Sequence, residues 1–238
     1  MEIKMKFFTE EWYHNTLISQ MCFSIRKSGR ASTLSDKFFE KLYKSEMAFY
    51  VKHLKRAAKF NRTSFDKAAA EAEFEQNYKD NLEFVKTLPE EIINNIADVR
   101  VFALGTVSYE MADALTRYCG KLNRSCQEIQ EKYDDSLEEI AEIIGWMPIN
   151  MLNMISDEKI TCVEQVSGVL EISTDNCVLK LTDATADKKL EDATVIAFEL
   201  GRDGDSSKFY LGLLCESSDG TLFDETIAFG AIEVAELD

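Results

Sequence analysis

The sequence predicts an α+β fold, with an N-terminal helical bundle followed by a C-terminal antiparallel β-sheet. Up to about Gly145, apolar residues recur at spacings of three and four, the period of amphipathic helices. Beyond about Met154, short apolar segments alternate with clusters of Asp, Asn, Ser and Gly, the pattern of strands and turns. No helix of useful length separates those segments, so the strands should return directly and pair antiparallel. The expected division is a helical domain over residues 1–150 and a small β domain over 151–238, packed either as one unit or as two subdomains.

Each element has a local reason. A long helix is expected from about Ser35 to Phe60, with Phe39, Tyr43, Met47, Tyr50, Leu54 and Ala57 on one side as its core face. Helix starts are signalled at Thr63-x-x-Asp66, Thr87-x-Pro89-Glu90 and Ser125-x-x-Glu128. Gly105 and Gly145 read as helix stops, the second followed by Pro148. Val107, Met111, Leu115, Tyr118 and Leu122 line one helix. Ile129, Tyr133, Leu137, Ile140, Ala141 and Ile144 line a second, from about Cys126 to Ile144. Strands are expected at Val166–Ile172, Cys177–Leu181, Thr194–Leu200, Phe209–Cys215 and Thr226–Val234.

Composition narrows the function classes. Of 238 residues, 45% are apolar, enough for a packed core. The charge balance, 27 basic against 43 acidic residues and a net charge of −16, argues against a general nucleic-acid binder, because phosphate contacts need surplus Lys and Arg. Charge is also polarised: residues 1–70 hold 14 basic and 7 acidic residues, residues 71–150 hold 7 and 17, and residues 151–238 hold 6 and 19. The opening lacks a signal-peptide pattern, and no apolar run approaches membrane-spanning length, so a cytoplasmic protein with no membrane partner is expected. Cysteines at 22, 119, 126, 162, 177 and 215 form no C-x-x-C pair and read as small buried hydrophobes of a reducing compartment.

Candidate sites are few. Lys41, Lys44, Lys52, Lys55 and Lys59 share one side of the expected 35–60 helix, a solvated face or a partner-docking face. The solvated face is the plainer reading; against it, five equal charges with no interleaved Glu repel, whereas ordinary helix faces mix signs. Glu11-x-x-His14 and the pair Glu46 and His53 each share a helix face, and together they are the candidate ligands of a divalent metal. The second helix lacks its own Glu-x-x-His, since Tyr50 precedes His53 at that spacing, so no cofactor is predicted and the metal is the alternative. Glu46 should otherwise be a buried carboxylate partnered by His53 or a tyrosine hydroxyl. Asp203-Gly204-Asp205 and Ser218-Asp219-Gly220 read as hairpin turns rather than calcium loops, because the EF-hand frame is missing. No G-x-S-x-G, P-loop, G-x-G-x-x-G or HExxH motif occurs.

The run Lys6-Phe7-Phe8-Thr9-Glu10-Glu11-Trp12-Tyr13, with Leu88-Pro89-Glu90 and Asp98-Val99-Arg100-Val101-Phe102-Ala103-Leu104-Gly105, resembles a bacterial domain-of-unknown-function family whose members open with an aromatic-Phe-Thr-x-Glu-Trp-Tyr run. The resemblance implies a bacterial source and brings no activity or site. Trp12 and Tyr13 are either an aromatic anchor for the N-terminal segment or the lining of a ligand pocket. The expected function is a non-enzymatic protein-interaction or regulatory role, immunity- or antitoxin-like by analogy of charge. The alternative is a metal-binding protein or enzyme built on Glu11, His14, Glu46 and His53. The oligomeric state is left open.

Overall fold

The computed structural model describes residues 4–21, 24–186, 188–202 and 208–237. Seven helices are described: α1 (Glu10–Met21), α2 (Asp36–Asn61), α3 (Lys67–Thr87), α4 (Glu90–Ile93), α5 (Val99–Ala103), α6 (Tyr109–Ile144) and α7 (Trp146–Leu152). Two short strands, β1 (Arg26–Lys27) and β2 (Thr106–Val107), pair in parallel among the helices. Seven more follow: β3 (Cys162–Val166), β4 (Val169–Ser173), β5 (Cys177–Thr182), β6 (Thr194–Arg202), β7 (Phe209–Glu216), β8 (Leu222–Phe229) and β9 (Ile232–Glu236). The fold class is α+β, with every pairing among β3–β9 antiparallel.

The strands form two sheets, ordered β3-β4-β5-β9 and β6-β7-β8, rather than one. Two expected strands are each two. Val166–Ile172 contains a hairpin, because Ser167 and Gly168 both adopt positive φ (52° and 85°), the two-residue turn that suits strand twist. The segment Thr226–Val234 spans the end of β8 and the start of β9, which belong to different sheets. Conversely, the two helices expected around Ser125 are one. Helix α6 runs unbroken for 36 residues, about 54 Å at 1.5 Å per residue, and Ser125 lies inside it. Gly145 ends α6 at φ 82° and precedes α7, whose first turn accommodates Pro148.

Two compact units divide the chain, and not at residue 150. One comprises residues 1–16 and 124–238, the other 17–123. The reason is that α1 and α6 each contribute side chains to both cores. In the first unit, Ile140 and Leu152 join Leu179, Leu181, Leu200, Leu211, Leu213 and Phe229 in one buried cluster. The opposite side of β7 is covered by a second cluster of Met5, Phe8, Tyr133 and Leu214. Strand β7 is therefore buried on both sides along seven of its eight residues. In the second unit, the core is Ile18, Val85, Leu88, Ile92, Phe102, Val107, Met111, Ala112 and Leu115. No residue of α2 belongs to it.

Among the described residues, no helix is long and apolar enough to cross a membrane. Cys119, Cys177 and Cys215 are buried free thiols, whereas Cys126 and Cys162 are only half-buried; Cys22 lies outside the described residues. Burial pushes the Cys215 thiol up to about 12, with Glu225 adding to the effect, which keeps it an inert core group.

Candidate functional site

The α2–α3 hairpin of the second unit concentrates the unexplained surface. Ser35 starts α2 by accepting the N–H of Phe38 through its hydroxyl, and Asp36 sits in the first turn. The helix stops at Arg62, which takes the left-handed conformation at φ 57°. Asp66 then caps α3 by accepting the N–H groups of Ala68 and Ala69. Thr63, the earlier residue of the predicted start signal, instead remains on the connection.

Aromatic rings hold the hairpin together. Tyr43 meets Phe74 and Tyr78 edge-on at 5.3 and 5.2 Å, and Tyr50 lies 5.8 Å from Phe74. Arg100 anchors the start of α2 to α5. Its guanidinium lies over Phe39 at 4.7 Å and bonds both Asp98 and Asp36. Burial alone would raise the Asp98 carboxyl, but the hydrogen bonds from Arg100 outweigh it and hold that group below the usual carboxylate range.

Despite these contacts, α2 buries none of its 26 residues. The expected core face, Phe39, Tyr43, Met47, Tyr50, Leu54 and Ala57, is only half-buried. A helix on a globular core normally hides such a stripe. Here it packs chiefly against α3, with α5 touching only its start, so the stripe borders open clefts. Phe49 and Phe60 are 70% and 88% exposed on the same helix.

One cleft, of about 480 Å³, is lined by Met47, Ala48, Val51 and Phe65, with Lys44, Lys52, Lys55, Lys67 and Glu71 around them. It shares Lys44 with a second cleft of about 570 Å³, lined by Phe39, Glu40, Tyr43, Glu75, Tyr78 and Lys79. Lys41, Lys44, Lys52, Lys55 and Lys59 are all exposed. Among the described residues, Lys67 pairs with Glu71 at 2.9 Å, while none of Lys44, Lys52 and Lys55 has an ion-pair partner.

The other predicted residues fall elsewhere. Glu46 does not pair with His53 or a tyrosine hydroxyl. It binds Arg26 at 2.6 Å, and the Tyr50 hydroxyl donates to Glu73 at 2.7 Å. The helical projection put Glu46 among tyrosines but gave no sign that β1 would bring a guanidinium to it. His53 is exposed. Glu11 and His14 belong to the first unit, Glu46 and His53 to the second. Among the described residues, no three His, Cys, Asp or Glu side chains are grouped as a metal site requires. Trp12 and Tyr13 pack against the Met5, Phe8, Tyr133 and Leu214 cluster, with the Trp12 ring 4.7 Å from Phe8. Asp219 accepts from the Ser217 hydroxyl and the Thr221 N–H in the β7–β8 turn, while Asp203-Gly204-Asp205 lies outside the described residues.

The cleft floor of Met47, Val51 and Phe65 was missed in the sequence because periodicity assigns such residues to a core. One signal was available: residues 47–62 contain no Asp or Glu. Comparison with family models, with curated proteins and with solved structures finds no match to this chain.

Proposed function

We propose that this chain is a cytoplasmic bacterial protein that acts by binding another protein, and that the lysine side of α2 is its docking face. The observation that carries the reading is a 26-residue helix with no buried residue, whose half-buried apolar stripe borders lysines without counterions. Exposed apolar surface rimmed by charge is characteristic of interaction sites. Lys52 and Lys55 are one turn apart and Lys44 lies about two turns before Lys52 on the rim of the same cleft, a run of positive charge that a bound partner of opposite charge would relieve. An immunity- or antitoxin-like role would instead use the acidic residues that dominate after residue 70; the uncompensated lysines favour an acidic partner over a basic one.

The test is an affinity capture from native cell extract with the full chain and with its Lys44→Glu/Lys52→Glu/Lys55→Glu variant. A stoichiometric protein retained by the first and lost by the second is the expected result. Identical sets of proteins on both would overturn the reading.

A further inference from the structure

We infer that the double cleft along α2 takes an acidic amphipathic helix of the partner protein. This rests on the interaction reading above and specifies what the surface binds.

The floor has the form a helix requires. Tyr43, Met47 and Val51 follow one another at four-residue steps along α2, and Phe65 and Tyr78 close the cleft from the connection and from α3. Rows at that spacing are the ridges against which a second helix packs. The two clefts join at Lys44 and extend from Phe39 to Lys55, about 24 Å at 1.5 Å per residue. That length fits a helix of roughly sixteen residues.

The rim sets the charge. Lys44, Lys52 and Lys55 dominate the α2 side; Glu40 lies one turn before Lys44, but among the described residues none of the three lysines is in an ion pair. On the α3 side, Lys67 is neutralised by Glu71, and Glu75 lies four residues before Lys79. An incoming helix therefore meets positive charge on one flank, apolar side chains below and mixed charge on the other flank. Glutamates or aspartates along one flank of an otherwise apolar helix match this.

The same residues disfavour other anions. Glu40, Glu71 and Glu75 line the clefts, so a uniformly negative phosphate chain or lipid surface would meet carboxylates as well as lysines. Tyr43 and Tyr78 are committed to edge-on contacts with each other, not presented as base-stacking platforms. A peptide can place its acidic groups to suit both flanks.

The probes are two fluorescent synthetic helices of sixteen residues with leucines at three- and four-residue spacing. One carries glutamates along a single flank and the other carries lysines there. Anisotropy titrations use the full chain at low and high salt. The glutamate helix should bind, more weakly in salt, and the lysine helix should not. Lys44→Glu/Lys52→Glu/Lys55→Glu and, separately, Val51→Asp should each weaken binding about tenfold or more, with the circular dichroism spectrum unchanged. A Lys121→Glu/Lys132→Glu control should bind as the parent does.

Equal binding of both probes, or no effect of the cleft substitutions, overturns the inference. So does lysine-dependent binding of phosphatidylserine vesicles, of single-stranded RNA or of a second copy of the chain when the glutamate helix does not bind. If the helix fails while lysine-dependent capture persists, the occupant is wrong and the interaction role stands. If the lysines matter in neither experiment, both readings fall.

Discussion

The carboxylate of Glu199 and the phenol of Tyr210 meet at 3.1 Å inside the first unit, and among the described residues no cation is ion-paired with that carboxylate. Glu199 is fully buried. Its charge is met by neutral donors: besides Tyr210, the backbone N–H groups of Lys6, Phe7 and Phe8 donate to it at 2.8, 2.8 and 3.1 Å. A buried carboxylate is tolerable only when its lone pairs are filled, and here three come from a strap that lies across the sheet. Replacing Glu199 by Gln leaves one acceptor oxygen and turns an amide N–H₂ toward N–H donors. Glu199→Gln should cost about 3 kcal/mol and Tyr210→Phe about 1–2 kcal/mol in urea denaturation. Equal stability of the Gln variant and the parent would show that the strap is held by its side chains alone.

Gly201 pairs with Tyr210 across β6 and β7, and the Tyr210 ring occupies the place a β-carbon on Gly201 would take. Gly212 similarly makes room for Met5 and Glu199. Gly201→Ala must displace a ring held by its hydroxyl to Glu199, with an expected loss of about 1–3 kcal/mol. A double-mutant cycle with Tyr210→Ala should be strongly non-additive, since removing the ring removes the clash. Additivity would place the cost elsewhere.

Asp98 gives the second unit a defined acid limb. Its folded-state carboxyl is held below the ordinary value of 3.8, so it contributes stability above that value, and the contribution is lost as pH falls through the lowered one. In Asp98→Asn the helix cap to Arg100 N–H and the ion pair are weakened at all pH values. The variant should be less stable than the parent at pH 7, and the difference should shrink as the pH approaches 2. Thermal unfolding across that range checks both parts; a constant difference would assign the effect to the cap alone.

Burial on the two sides of β7 predicts unusual sensitivity. Leu213 and Leu214 face opposite clusters, and each is at most 1% exposed. Each Leu→Ala substitution should cost about 2–5 kcal/mol, although the residues are adjacent and on an ordinary half-exposed strand one would be nearly silent. Phe60→Ser, at an 88% exposed position, should change stability by under about 0.5 kcal/mol. Guanidinium unfolding of the three variants measures the contrast.

Much of the architecture was legible in the residues, for reasons visible in particular elements. The periods around Met111 and Ile140 report helix faced to a core, and Gly105 and Gly145, read as helix stops, sit where positive φ is needed. Other features were not legible, the hairpin at Ser167-Gly168 among them. Ser125 looks like a helix start, yet the apolar faces on either side are in phase, so the chain continues as α6. Residues 226–234 read as one strand, since nothing local says that β8 and β9 join different sheets. The stripe from Phe39 to Ala57 reads as core because amphipathicity reports a face and not what covers it. The lysine positions were legible as a set; the cleft beside them, and the pairing of Glu46 with Arg26, depend on long-range contacts.

The strap that Glu199 holds also sets an order for biosynthesis. Phe7 and Glu199 are 192 residues apart, and at about 5–20 residues per second the ribosome makes one roughly 10–40 s before the other. Residues 17–123 are complete within that interval and can settle around their own core. Phe7, Phe8 and Trp12 meanwhile lack the sheet that shelters them, a window in which a holding chaperone has three aromatic side chains to grip.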